Sequence, residues 1–325
     1  MNNWRTSIAT WSPAVVFILL YLIFGFMFKG FLEPRVGFNI IKDNAFLGVT
    51  AIGLTFVILT GGIDLSVGSV VGFSGIFLAS LIANQNIHPG TAILIVLITG
   101  TLFGAVQGFL ISKFEIAPFL VTLGGLFFAR GLALTISTES IQIEHPWFKE
   151  IGLYSFKLFS GATLSAGSII FIILATITAL VLKFTVFGRT IYAVGGNQDS
   201  AKLMGLPVPR TIISVYAISG LMSAIGGILF SLYTLSGNAV AATGLELDAI
   251  AATVIGGTLL SGGYGTIAGT VIGVMILGTV QTAITFQGTL SSWWTKIFIG
   301  SLLLAFILLQ KAVGQFDKSS NHPGH

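Results

Sequence analysis

Residues 183–210 read KFTVFGRTIYAVGGNQDSAKLMGLPVPR, a net-basic island between two long apolar stretches. The 25 residues before it and the 35 after it contain no Asp, Glu, Lys or Arg. Residues 65–112 and 249–295 are likewise free of charge. Spanning a bilayer takes about 20 apolar residues of helix, so each of those two runs holds about two spans. The whole chain is 54% hydrophobic and 8% charged, with a mean hydropathy of +0.97. Soluble domains carry roughly 25% charged residues, so this composition belongs to an integral membrane protein. The apolar runs are continuous and lack the period-two alternation of a transmembrane strand, which points to helices.

The sequence predicts an all-α polytopic bundle of about ten transmembrane helices. The expected spans are 13–28, 44–60, 66–84, 91–111, 117–137, 167–185, 211–234, 246–260, 266–286 and 294–310. Broken helices are expected near 61–66 and 262–266, beside Gly61-Gly62 and Gly262-Gly263. Residues 1–316 read as one transmembrane domain, and the polar tail 317–325 is expected to be disordered. The apolar run that begins at Ala14 has no small-x-small cleavage site after it, so it reads as the first span. Lys113, the Lys183–Arg210 island, Lys311 and Lys318 would face the cytosol, with 138–160 outside. Lys29, Arg35 and Lys42 then fall on the outer side, against the charge rule. Residues 60–72 align without gaps onto 261–273, either as an internal repeat of the kind found along transport pathways or as chance likeness between Gly-rich segments.

Several function classes drop out. The chain has no cysteine, which removes disulfides and thiol chemistry. It has no Gly-x-x-x-x-Gly-Lys-Ser/Thr loop, so it binds no nucleotide that way. Gly263-Tyr264-Gly265-Thr266-Ile267-Ala268 imitates a dinucleotide fingerprint but lacks the soluble βαβ surroundings that motif requires. His88, His145, His322 and His325 show no metal-ligand spacing, and no catalytic or metal-binding set is expected. The net charge of +4 sits in loops, where it sets topology and carries no nucleic-acid signal.

The remaining polar residues have paired readings. Asp64, with Ser66, follows the Gly61-Gly62 pair. It either caps the next helix or contacts a solute, since ionisable residues inside membranes mark function. Arg130 either snorkels to the interface, or recognises hydroxyl groups or forms an ion pair within the bundle. Glu246 and Asp248 complement a helix dipole or receive a basic or sugar-bearing partner from outside. Trp293, next to Trp294 and close to Lys296, is a belt anchor or a stacking surface for a sugar.

Within the island, Asn197, Asp199, Ala201, Lys202, Met204, Gly205 and Leu206 form a short helix at about 197–206, capped by Asn197 and ended by Gly205 and Pro207. It resembles the coupling motif of ABC importer permeases, with Asp199-Ser200-Ala201 in place of the usual acid-Ala-Ala. Thr60–Ser69, Tyr192–Asn197 and Ile255–Gly263 are similar to the ribose/xylose/arabinose/autoinducer-2 branch of bacterial sugar permeases. Asp43–Gly48, Glu246–Ala251 and Gly288–Ile297 look closest to the permease of the galactofuranose transporter.

The resemblance implies an inner-membrane subunit of a binding-protein-dependent importer, not an enzyme itself, that moves a monosaccharide by ATP-driven alternating access. The helix at 197–206 would dock on a cytosolic ABC ATPase, which would hold ATP and Mg. A periplasmic sugar-binding protein and a second, different permease subunit are the other implied partners. Gly61, Gly62, Asp64, Ser66, Gly262 and Gly263 would line the translocation pathway. Arg130, Glu246, Asp248 and Trp293 would be outer-side sugar contacts. The alternative is an ion-gradient-driven secondary transporter or channel.

Overall fold

The computed structural model describes residues 3–159, 161–289, 291 and 293–320, with side chains from Ser12 to Leu308 apart from Phe159. The protein is a helical membrane bundle with two small strand pairs at one end. The helices are α1 (Asn3–Met27), α2 (Pro34–Asp43), α3 (Ala45–Leu59), α4 (Val67–Ala79, continued by a π-turn at Ser80–Asn84), α5 (Pro89–Phe114), α6 (Pro118–Ile136) and α7 (Pro146–Leu153). They continue with α8 (Ala166–Phe184), α9 (Val186–Gly196), α10 (Gln198–Leu203), α11 (Val208–Thr234), α12 (Leu245–Ile255), α13 (Ile267–Gln287) and α14 (Trp293–Ser320).

The expected ten crossings are not all full-length helices. Among the described residues, six helices are long and apolar enough to cross a membrane, and the pair α2 and α3, bent by 57°, makes a seventh. The apolar stretches at 12–27 in α1 and 293–308 in α14 are shorter. The expected span 246–260 is the 11-residue helix α12, which at 1.5 Å per residue rises only about 16 Å, half of a bilayer core. The tail expected at 317–325 lies partly outside the described residues, which end at Ser320 in α14.

Lys113, Lys183, Arg189, Lys202 and Arg210 lie at the α5–α6 turn and on or beside α9 and α10, the end that the charge rule expects in the cytosol. The opposite end carries α7, the antiparallel pair β1 (Ile141–Gln142) with β4 (Ser236–Gly237), and the hairpin of β2 (Ser155–Phe159) and β3 (Ala162–Ser165). The outer cations have a local reason. α2 is amphipathic and bent away from α3, and Arg35 pairs with Glu33 at 2.6 Å in the exposed approach to it.

α11 is the hub and packs on α3, α4 and α5. Its closest partner is α5, whose Gly100, Gly104 and Gly108 repeat every fourth residue and so share one face. A Cβ at Gly104 would run into the Tyr216 carbonyl, and one at Gly108 would stand 2.8 Å from Ile213 Cα. Lipid tails are as apolar as leucine, so helices associate here through close backbone contact, which small residues permit. In contrast, α5, α6 and α8 turn most of their surface outward.

Gly104→Val is expected to destabilise the protein by about 1–3 kcal/mol through overpacking, lowering its melting temperature in detergent. Gly124→Ala, where an added Cβ meets nothing within 4 Å, is expected to leave that temperature unchanged or slightly raised.

Candidate functional site

The two breaks fall where the glycine pairs stand. α3 ends at Leu59 and α4 starts at Val67; α12 ends at Ile255 and α13 starts at Ile267. Gly61 and Gly262 adopt φ of 80° and 84°, a region that L side chains enter only with strain. The turns pack directly on each other. Gly263 N–H donates to the Leu59 carbonyl at 2.9 Å, and a Cβ on Gly262 would stand 2.7 Å from Gly61 N.

A third glycine turn joins them. A Cβ on Gly195, at the end of α9, would collide with the Leu59 carbonyl and come within 2.5 Å of Gly263 N. Tyr192, also on α9, donates its hydroxyl to the Gly265 carbonyl at 2.8 Å. Asn197 follows immediately, and its side chain caps α10 by accepting from Ser200 N–H at 2.7 Å. The base of the short cytosolic helix is therefore in contact with both breaks.

α10 divides its apolar residues between two directions. Ala201 is fully buried, while Leu203 is 90% and Met204 67% exposed. Asp199 and Lys202 are exposed beside them. Gly205, at φ 76°, ends the helix, and Leu206 N–H returns to the Ala201 carbonyl at 3.1 Å. Ala201, Leu203 and Met204 thus make an inward anchor plus an outward knob. A free apolar knob on a charged helix end fits a protein groove.

Asp64 lies beneath the first break, 2% exposed. One carboxylate oxygen accepts from Ser66 N–H at 2.9 Å and Ser66 Oγ at 2.6 Å; the other accepts from Ser219 Oγ at 2.7 Å. Gln107 donates to Ser66 Oγ at 3.0 Å, and Thr122 and Tyr216 both donate to the Ile63 carbonyl at 3.3 Å. This geometry is an Asx-type turn just before α4, tied to α5, α6 and α11; the first N–H groups of α4 itself receive no side-chain cap. Gln107, Thr122, Tyr216 and Ser219 were not singled out from the sequence. Gln107 had a visible signal, the one amide in the long apolar run of α5.

The outer-side candidates form a second cluster. After α11 the chain returns as a non-helical strap, 235–244, a two-residue strand followed by turns, lying along α4. A Cβ on Gly237 would meet the Gly75 carbonyl and Ala79, and the added Cβ of Gly72 would lie 2.9 Å from the Ala241 carbonyl. Arg130 Nη1 donates to the Ala239 and Ala241 carbonyls at 2.5 and 3.0 Å. The Glu246 carboxylate rests against Gly68, and its Oε2 is buried without a hydrogen-bond partner. Asp248 is taken by Lys296 at 2.6 Å, and Trp293 is 75% exposed at the start of α14. No group of three or more His, Asp or Glu side chains able to hold a metal occurs among the described residues.

Residues 37–307 match the family described as branched-chain amino acid transport system / permease component. The chain belongs to that family. The permease is 49% identical over 298 residues to the inner membrane ABC transporter permease protein YjfF of Escherichia coli (strain K12), covering 92% of this chain and 90% of that protein. It is 36% identical to the fructose import permease protein FruG of Bifidobacterium longum (95% and 92% covered) and to the ribose import permease protein RbsC of Bacillus subtilis (92% and 92%). No solved structure matches it. The permease is thus a multi-pass inner-membrane transporter subunit and not an enzyme itself. Nothing in these relatives supports an ion-gradient-driven transporter or channel.

Asp64→Ala is expected to strand the Ser219 hydroxyl and the Ser66 N–H, at about 1–3 kcal/mol for each unpaired group. Thermal unfolding should show a clear drop for this variant and a smaller one for Asp64→Asn, which keeps an acceptor.

Proposed function

We propose that this chain is the membrane subunit of a binding-protein-dependent ABC importer that carries a monosaccharide inward by ATP-driven alternating access. The observation that carries the reading is the path from the exposed Leu203–Met204 knob, through Asn197 and Gly195, to both helix breaks. A rigid push on α10 reaches the two breaks without crossing a flexible linker, because Gly195 is in backbone contact with Leu59 and Gly263. The cytosolic partner is an ABC ATPase, which supplies the ATP and Mg that this chain does not hold.

Fructose and ribose in the relatives' names support a sugar as cargo. The stretches Asp43–Gly48, Glu246–Ala251 and Gly288–Ile297 favour a galactofuranose-like one. A periplasmic sugar-binding protein and a second, different permease complete the assembly. We read ten transmembrane elements, with α12 a half-crossing completed by the strap and with α1 and α14 included. The pathway runs beside the breaks at Gly61–Ser66 and Gly262–Gly263, with Arg130, Glu246, Asp248 and Trp293 towards the outer entrance.

Leu203→Glu is the direct test in proteoliposomes holding the full complex. Leu203 is exposed, so the variant is expected to fold as wild type yet lose at least tenfold in ATP-dependent sugar uptake and in sugar-stimulated ATP hydrolysis. Wild-type rates in this variant, or uptake by the permease alone without ATP, would overturn the reading. Titration of the periplasmic protein with galactofuranose, ribose, arabinose and fructose identifies the cargo.

A further inference from the structure

The strap at 235–244 is non-helical backbone held against a membrane helix, so each of its carbonyls needs a donor from the protein or from a solute. It fits because α4 presents Gly68, Gly72, Gly75 and Ala79 along one face. Added Cβ atoms would meet the Ala242 carbonyl at Gly68 (2.9 Å) and the Ala239 and Ala241 carbonyls at Gly72 (3.2 and 2.9 Å). Arg130 closes this contact from α6, and both of its bonds come from the single nitrogen Nη1. Ala239 is fully buried by this arrangement, whereas Val240 beside it is 55% exposed, so the strap is reachable from one side.

The neighbouring carboxylate is in the opposite condition. Glu246 Oε2 touches Gly68, and Arg130 Nη1 lies beside the added-Cβ position of Gly72. Gly68 and Gly72 are one helical turn apart, about 5–6 Å. A cation saturating two neutral carbonyls next to an unpartnered buried carboxylate oxygen is half of an exchange. An arginine–carboxylate bond is roughly twice as strong as a bond to a neutral acceptor. What holds Arg130 on the strap is that leaving would orphan two carbonyls, each at a cost comparable to a lost buried hydrogen bond.

We propose that Arg130 is the latch of an outer gate and that the carbonyls of Ala239 and Ala241 are its solute-sensing acceptors. A polyhydroxylated solute supplies O–H donors to the two carbonyls, Arg130 transfers to Glu246, and the strap is released from α4. An apolar solute has no donor to offer and leaves the latch closed. Hydroxyl groups serve because each is a donor that can replace one guanidinium N–H. The proposal rests on the sugar-import reading and adds a positioning role for Arg130 and Glu246, together with two acceptors that alanine side chains leave invisible in sequence.

The test is hydrogen exchange of the peptide spanning 235–246 in the complete reconstituted complex, with D-ribose, L-arabinose, D-fructose or D-galactose delivered by the binding protein, alongside uptake of the same sugars. In wild type, the transported sugar with ATP is expected to speed exchange of the strap at least tenfold. Glu246→Gln has no hydrogen bond to lose at Oε2, so it should assemble and melt with wild type. It is expected to keep the strap protected and to reduce uptake at least tenfold, with partial recovery in Glu246→Asp. Arg130→Gln, which keeps two N–H donors but no charge, should behave like Glu246→Gln. Sugar uptake by wild type with an unchanged strap, or wild-type uptake by Glu246→Gln, overturns the latch and leaves the import reading standing. A wild-type complex that takes up none of the four sugars and no galactofuranose overturns the import reading, and the latch with it.

Discussion

Inside a bilayer a backbone N–H or C=O without an internal partner costs several kcal/mol, and the architecture of this permease follows from where that rule is bent. Helices satisfy it automatically. Three places leave the helix and pack against the spans: the two breaks and the strap at 235–244. Each finds its partners within the protein. The breaks bond to each other, through Gly263 N–H to the Leu59 carbonyl, and to side chains such as Thr122, Tyr192 and Tyr216. The strap bonds through Arg130 and through its β4 pairing with β1. Irregular backbone of this kind is tolerated only where protein or a water-filled cavity surrounds it, so these three places are also where a solute route is to be sought.

Close approach of backbones makes those solutions possible. Glycines at 61, 195, 262 and 263 let three chain turns touch with no side chain between them. Those at 68, 72 and 75 let the strap lie flat on α4. Packed backbone transmits displacement with little loss, because protein interiors are dense and deform by discrete shifts. On the import reading, α10, which follows directly on the α9 end that makes this contact, would act on both breaks together. Were α9 joined to α10 through a long flexible loop, the exposed Leu203–Met204 knob would have nothing rigid to move.

Much of this was legible before any coordinates. The charge-free runs located the membrane helices, the glycine pairs located the breaks within a few residues, and the basic island located the short helix α10 with its cap and stop. The strand pairs on the outer face were not foreseen, since two- to five-residue strands leave almost no periodic signal. The 246–260 segment was read as a crossing because its composition is apolar, and composition does not report where a helix starts in depth. Asp64 looked like a candidate solute contact or a cap, and its saturation by Ser66 and Ser219 could be seen only once residues 155 positions apart were brought together.

By itself, the sequence determined the class of molecule, the places where helices stop and the end where the basic loops gather. Those properties depend on local chemistry: hydropathy, backbone freedom at glycine and the charge of short loops. The tertiary structure alone decided that the two breaks and Gly195 share one contact, that 235–244 dives back along α4, and that Arg130 serves carbonyls while a Glu246 oxygen goes unpartnered. Hydrogen bonds to backbone carbonyls are independent of side-chain identity. The acceptors at Ala239 and Ala241 therefore leave no mark in the sequence, and only the packed fold shows which donor reaches them.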